Sequence, residues 1–374
     1  MTRNSKYLSV IQLLPALNGG GVERGTLEIA KELVKRGHRS IVISAGGQMV
    51  DELVNSGSEH IQLNIGRKSP FSLRHIPFLR KYFKEENIDV IHARSRFPAW
   101  LTYLAWKKMD KARRPRFITT VHGAYRVNRY SKVMTKGQVV IATSGFILKY
   151  ITNNYPNVDQ NKIIIIHRGA SKEEFPFAYR PEKKWLMGWN EQHPMISDKF
   201  ILTLPGRISR RKGHEDFLDI LNRLKKQNIP IHGLVVGGSH RRKIAFLKKL
   251  KEKTRALGLE NEITFLGHRN DIKEIMSISD VVLSLSKEPE SFGRTVLEAL
   301  YLSIPVIAYN HGGVAEILSK MYPYGCVDPN DTAAVCDKIT SYYRQPVLVA
   351  DKNLFTLEKM LNGTLSLYCD ETSS

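Results

Sequence analysis

Short apolar, β-branched runs alternate with helix-period segments along the first half of the chain. The runs are Tyr7 to Leu14, Ser40 to Ser44, Asp89 to His92, Phe117 to Val121, Val139 to Thr143 and Lys162 to Ile166. Strands that read as near-continuous hydrophobic runs are buried on both faces, and their alternation with helices predicts a parallel sheet. A stretch rich in Pro, Trp and charge, Phe175 to Asp198, interrupts this rhythm. It then restarts with Phe200 to Leu204, His232 to Val236, Glu262 to Leu266, Val281 to Leu285 and Pro305 to Ala308. The restart predicts two doubly wound α/β domains, residues 1–180 and 181–345, followed by a terminal segment, 346–374. That segment carries the amphipathic run Phe355, Leu357, Met360, Leu361, Leu365 and Leu367, which needs a partner surface. Two such domains joined once would face each other across a cleft, with ligands at the carboxyl ends of the strands.

Length and composition agree with this division, since 374 residues at 42% hydrophobic content suffice for two ordinary domains. Arg3 and Lys6 before the apolar stretch Tyr7 to Leu17 imitate a secretory signal, but no small-residue cleavage site follows. Instead Asn18-Gly19-Gly20-Gly21 leads into a helical pattern at Leu27, Ile29, Ala30, Leu33 and Val34, the signature of a buried strand, a turn and a covering helix. No other apolar run approaches the length of a membrane span, so a soluble or membrane-peripheral protein is expected. Cys326, Cys336 and Cys369 are odd in number and lack zinc-ligand spacing, which argues against a disulfide framework and for a reducing, cytoplasmic setting.

Charge divides the halves. Residues 1–180 hold 30 Lys and Arg against 13 Asp and Glu, a net of +17; the remainder holds 27 against 23, a net of +4. A basic first half attracts polyanions or an anionic membrane surface, or simply keeps the chain soluble.

Candidate chemistry lies just after the expected strands. Glu290-Ser291-Phe292-Gly293-Arg294-Thr295-Val296-Leu297-Glu298 sets two carboxylates eight positions apart across a Phe-Gly entry into a helix. Carboxylates accept strongly from hydroxyl pairs, and the amides of Gly293, Arg294 and Thr295 at a helix start can hold a phosphate. The pattern suits a nucleotide sugar, although an isolated pair of this kind also fits an exposed acidic turn. Arg207 and Lys212, in the glycine-bounded loop Gly206 to Gly213, can converge on a diphosphate without a metal. Gly312-Gly313 repeats the strand, turn and helix entry. The Gly19 to Gly25 loop departs from a dinucleotide fingerprint in its spacing, and Ile43-Ser44-Ala45 stands where a ribose-binding acid belongs, so a nicotinamide cofactor is not expected. Gly20 and Gly21 still let a backbone approach a ligand, and equally fit a tight turn. His122, at the end of a strand and before Gly123, fits either a structural role or a donor to a sugar or acceptor hydroxyl. Arg94, Arg96, Phe97 and Trp100, and Tyr125, Arg126, Arg129, Tyr130, Lys132 and Lys136, interleave rings with cations where an anionic acceptor can dock; such clusters also suit single-stranded nucleic acid.

Taken in order, these loops resemble the retaining glycosyltransferases of family 4, which have the GT-B fold, over nearly the whole chain. The most specific match is Glu290 to Glu298, which looks like that family's two-glutamate motif with its internal Phe-Gly; the Gly-Gly-Val-Glu loop, the Val-His-Gly strand end and the Gly-Arg loop with its Lys support it. The resemblance implies that Glu298 holds ribose hydroxyls, Arg207 and Lys212 the diphosphate, and Glu290 the donor sugar, where a nucleophilic role stays open. Gly20 and Gly21 would approach the reacting centre and His122 the sugar, with Phe292, Gly293, Arg294 and Thr295 completing the donor loop. It implies no metal or cofactor beyond the donor, a UDP-sugar, and a terminal helix that crosses back to the first domain. Where many members have Asn-Gly, this chain has His167-Arg168-Gly169, an extra cation that fits an anionic sugar or phosphorylated acceptor. Arg94 to Trp100 looks similar to members that build lipopolysaccharide core, which implies an anionic glycolipid acceptor at the cytoplasmic face of the inner membrane. Two rival readings remain: a non-catalytic nucleic-acid-binding protein, against which the most specific residues are carboxylates in the less basic half, and a nucleotide-sugar epimerase or hydrolase on the same fold.

Overall fold

The structure is a computed structural model that describes residues 7–238 and 244–369. It divides into two compact units: residues 1–168 with 357–374, and residues 169–356.

Unit 1 is built on seven parallel strands: β1 (Ser9–Leu13), β2 (Arg39–Ser44), β3 (Glu59–Gln62), β4 (Val90–Ala93), β5 (Arg116–Val121), β6 (Val139–Ala142) and β7 (Ile163–Ile165). Their order is β3-β2-β1-β4-β5-β6-β7, so the winding reverses between β1 and β4. Alternate strand residues feed opposite faces. Ile11, Leu13, Ile91, Ala93, Phe117 and Val121 enter one core; Val10, Val90, Ile118, Val139 and Ile141 enter another. The second core is closed by the terminal helix Leu357–Cys369, whose Met360, Leu361, Leu365, Leu367 and Tyr368 are buried there. That helix therefore returns to the first unit, and the amphipathic run finds its partner surface.

Unit 2 has six parallel strands: β8 (Phe200–Pro205), β9 (Ile231–Val236), β10 (Ile263–Gly267), β11 (Val281–Ser284), β12 (Val306–Tyr309) and β13 (Cys326–Val327). The order β10-β9-β8-β11-β12-β13 again reverses once, between β8 and β11.

Burial sets the division of the chain elsewhere than the composition shift does. Ala170 and Phe175 are buried in the core of unit 2, and the Ala170 N–H donates to the Phe355 carbonyl at 3.2 Å. The units thus divide at Arg168/Gly169 and Thr356/Leu357, outside the expected boundaries at 180 and 345. Phe355 parts company with the rest of its amphipathic run: it meets Phe292 edge-on at 5.7 Å within unit 2.

Candidate donor and acceptor sites

In open α/β sheets, ligands bind beyond the strand ends where the winding reverses. In unit 2 that point lies between β8 and β11, and the loops after them are pressed together. Gly213, at φ +71°, starts the helix His214–Lys226; a Cβ there would lie 2.0 Å from the Leu285 carbonyl oxygen. From this loop Lys212 Nζ donates to Glu290 Oε1 at 2.7 Å, and the Ser286 hydroxyl donates to the same oxygen. His311 Nε2 in turn donates to the Ser286 carbonyl at 2.6 Å. Burial pushes the Glu290 pKa up, but the Lys212 ammonium, with help from Ser286 and Arg211, outweighs it and holds the carboxyl below its ordinary range. Glu290 is therefore an ionised acceptor of fixed orientation.

The Glu290 loop rests on a glycine floor. The Gly313 N–H donates to the Glu290 carbonyl at 2.8 Å. A Cβ on Gly312 would come within 2.6 Å of that carbonyl oxygen, and one on Gly313 within 2.4 Å of Phe292 Cα. Phe292 is buried, and Gly293, at φ +99°, caps the helix Arg294–Tyr301, whose positive end faces the loop. One turn along, Arg294 Nε donates to Glu298 Oε1 at 2.7 Å, so this buried carboxylate is already oriented. Thr295 is half-buried on the same first turn, and Arg207 is exposed on the loop after β8.

In unit 1 the carboxyl ends of β1, β4, β5 and β7 carry the candidate groups. Gly20, at φ +151°, precedes the helix Gly21–Lys35, and both glycines are exposed. His122 follows β5; its Nδ1 accepts from Arg168 Nη2 at 3.0 Å, so its proton sits on Nε2. That Nε2 is buried without a protein partner. Burial, then the nearby Arg168 and Arg94, depress the His122 pKa well below its ordinary value. His122 is thus a neutral imidazole whose Nε2 carries the proton.

Arg96 lies over the Tyr125 ring at 4.5 Å and the Tyr130 ring at 5.4 Å, and donates to the Ser131 hydroxyl at 3.1 Å. Arg126 and Arg129 are exposed on the same loop. Arg94 departs from its expected place among surface acceptor contacts. It is 2% exposed, its Nη1 donates to Gln12 Oε1 at 3.0 Å, and burial lowers its pKa to about 10. It follows a fully buried strand in the middle of the sheet, where Gln12 of β1 receives its guanidinium.

Family models match both halves of the chain. Residues 189–353 match the family model described as glycosyl transferases group 1, and residues 19–174 match that described as Glycosyltransferase Family 4. A glycosyltransferase from Rickettsia africae of known structure is 33% identical, with a TM-score of 0.84 over 98% of this chain and 100% of that one. The chain is a family 4 glycosyltransferase of the GT-B fold. Anabaena HepE, solved with UDP and glucose, shares that fold with a TM-score of 0.79 over 96% of this chain and 99% of that one, at 19% identity. The lipopolysaccharide core mannosyltransferase LpsB of Rhizobium meliloti is 27% identical over 205 residues, which span 54% of each chain.

In this glycosyltransferase, a hexosyltransferase-type enzyme, further residues brace the candidate groups. Gly25 lies under Arg168: a Cβ there would sit 1.9 Å from Arg168 Nη1. His92 ties the terminal helix to the sheet, its Nδ1 meeting the Tyr368 hydroxyl and its Nε2 the Thr120 hydroxyl, each at 2.6 Å. Ser286 and His311 brace Glu290 from two different strand ends. Gly25 belongs to the glycine loop that the sequence marks for close approach, but nothing in that loop names Arg168 as the neighbour. Among the described residues, no helix is long and apolar enough to cross a membrane.

Proposed function

We propose that the enzyme moves a sugar from a UDP-sugar to an anionic glycolipid of the lipopolysaccharide-core kind, with retention of configuration, at the cytoplasmic face of the inner membrane. The observation that carries the donor half is the Lys212–Glu290 contact at the β8/β11 reversal, which sets a cation for diphosphate beside an ionised acceptor for sugar hydroxyls. Glu298 takes the ribose hydroxyls, and the helix start at Gly293 to Thr295 faces the phosphates. HepE carries UDP and glucose on the same fold, which supports this class of donor. LpsB, by its name a lipopolysaccharide core enzyme, supports the acceptor class.

In the proposed reaction the bond between the anomeric carbon and the diphosphate oxygen breaks, the acceptor oxygen bonds to that carbon on the same face, and the acceptor proton passes to the departing phosphate. Arg207 and Lys212 stabilise the charge that develops on the leaving group, so no added divalent ion is required. Glu290 orients the donor sugar, and the Nε2–H of His122 donates to a sugar hydroxyl. Arg96, Arg126, Arg129 and Arg168 supply the cations for the acceptor. The test is product analysis with purified enzyme, with and without acceptor lipid, in the presence of a chelator. Glycosylated lipid with the donor's anomeric configuration is expected; release of free sugar independent of lipid would instead indicate a hydrolase, and an altered nucleotide sugar an epimerase.

A further inference from the structure

Residues 63–84 hold six Lys and Arg and no acid: Arg67, Lys68, Arg74, Arg80, Lys81 and Lys84. All six are exposed. The same stretch exposes large apolar side chains that a water-facing surface does not need. Phe71 is 79% exposed, Leu73 52% and Phe78 44%, while Leu79 and Phe83 turn inward and hold the segment on the sheet. It forms a short 3-10 turn, Pro70–Arg74, running directly into the helix His75–Glu85. One face is thus packed, and the other carries rings and an aliphatic side chain ringed by cations.

This face is continuous with the candidate acceptor loop. Lys68 Nζ lies 4.4 Å from the centre of the Tyr130 ring, the ring that Arg96 covers from within unit 1. Trp100 Nε1 fixes that loop by donating to the Tyr130 carbonyl at 2.8 Å. Beyond Tyr130 the surface goes on through exposed Arg126, Arg129 and Lys136 and through Val127, which is 48% exposed. From Lys111 to Val158 there is again no acidic residue.

We propose that the Pro70–Glu85 face is the surface by which the enzyme docks on an anionic lipid bilayer, inserting Phe71, Leu73 and Phe78 among the headgroups. Apolar side chains on a cationic face are the chemistry of interfacial membrane binding: the rings enter the acyl boundary and the cations meet anionic headgroups. An acidic protein surface would satisfy the cations without using the rings. A second copy of the chain would present the same cations and repel them. The continuity through Tyr130 gives the docking a purpose, since a lipid-borne acceptor would then meet Arg126 and Arg129 without leaving the membrane. This inference rests on the glycolipid reading above, but its test does not use turnover.

The experiment is flotation with vesicles of neutral phosphatidylcholine, with or without 30% phosphatidylglycerol. It compares the wild-type enzyme, the triple variant Phe71→Ser, Leu73→Ser, Phe78→Ser, and the charge variant Arg74→Glu, Arg80→Glu, Lys81→Glu. All the altered side chains are exposed, and an unchanged melting temperature with UDP-induced stabilisation verifies fold and donor site. Wild-type enzyme is expected to bind the anionic vesicles in a salt-sensitive way, and each variant at least tenfold more weakly. Equal binding to neutral vesicles, variants that bind like wild type, or a change in oligomeric state without a change in vesicle binding would each overturn the assignment. Transfer to a detergent-dispersed lipid remains a separate test, so glycosyl transfer can stand where membrane docking fails, and the reverse.

Discussion

Gly25→Ala tests the arrangement of His122 and Arg168 through a residue that touches neither substrate. The new Cβ would lie 1.9 Å from Arg168 Nη1 and 2.9 Å from Cζ. Carbon and nitrogen in contact need roughly 3.5 Å, so the guanidinium has to move by about 1.5 Å. The 3.0 Å hydrogen bond to His122 Nδ1 does not survive such a shift. A hydrogen bond to a charged group contributes about 1.5 to 3 kcal/mol, so the loss of a correctly oriented Nε2–H should lower kcat/KM by about 10-fold to 150-fold. Stability should change little, because Ala in a helix interior gains about 0.5 to 1 kcal/mol over Gly and the displaced group is the end of a flexible side chain. The assay pairs UDP-release kinetics with thermal unfolding of the single variant, of Arg168→Asn and of the double variant. In the Arg168→Asn background the alanine should cost less than about threefold, since the group it displaces is gone. An equal cost in both backgrounds, or normal activity of the single variant, would show that Arg168 does not position His122.

Other perturbations separate the donor contacts. Glu298→Ala should lower kcat/KM by roughly 10²-fold to 10⁴-fold, by the loss of two hydrogen bonds to ribose, with weakened UDP-induced stabilisation as the direct check. Glu290→Gln removes the charge that Lys212 and Ser286 hold, and a loss of at least about tenfold in kcat with UDP affinity within about threefold would match its assignment to the sugar. Acid should destabilise both units. His92 and His122 are held well below their ordinary pKa by burial, and burial lowers His214 and His232 to about 4. An unfolded histidine takes up its proton near pH 6.5 while these stay neutral, so stability is complete above that pH and declines as pH falls toward the folded values. With two such histidines per unit the slope reaches about 2.7 kcal/mol per pH unit, readable by denaturant titration from pH 7 to pH 5; a flat profile would contradict it.

Much of the fold could be read in the sequence because its strands are buried on both faces. Runs such as Ile41-Val42-Ile43 and Val281-Val282-Leu283 have no other use. β3, Glu-His-Ile-Gln, gave no such signal: it is an edge strand, half exposed, and its pattern is that of a loop. β13 spans two residues and is too short for any periodicity. The Glu290 to Glu298 loop was legible because its Phe-Gly entry and paired carboxylates lie within nine consecutive residues. The bracing was not, since Ser286 follows β11 whereas His311, beside the legible Gly312-Gly313, follows β12, and the two meet only in the folded sheet. Arg94 shows the opposite error. A cation after a strand invites a surface role, but it follows a central strand and Gln12 of the neighbouring β1 receives it in the interior.

Retaining transfer to an anionic lipid is tested by following the sugar itself. Purified enzyme is incubated with UDP-sugars labelled at the anomeric carbon and with lipid acceptors, and the product is read by NMR. Sugar joined to the anionic lipid with the donor's own anomeric configuration is expected, with one UDP released per sugar transferred. An inverted linkage, or free sugar formed at the same rate with and without lipid, would contradict retaining transfer to the lipid.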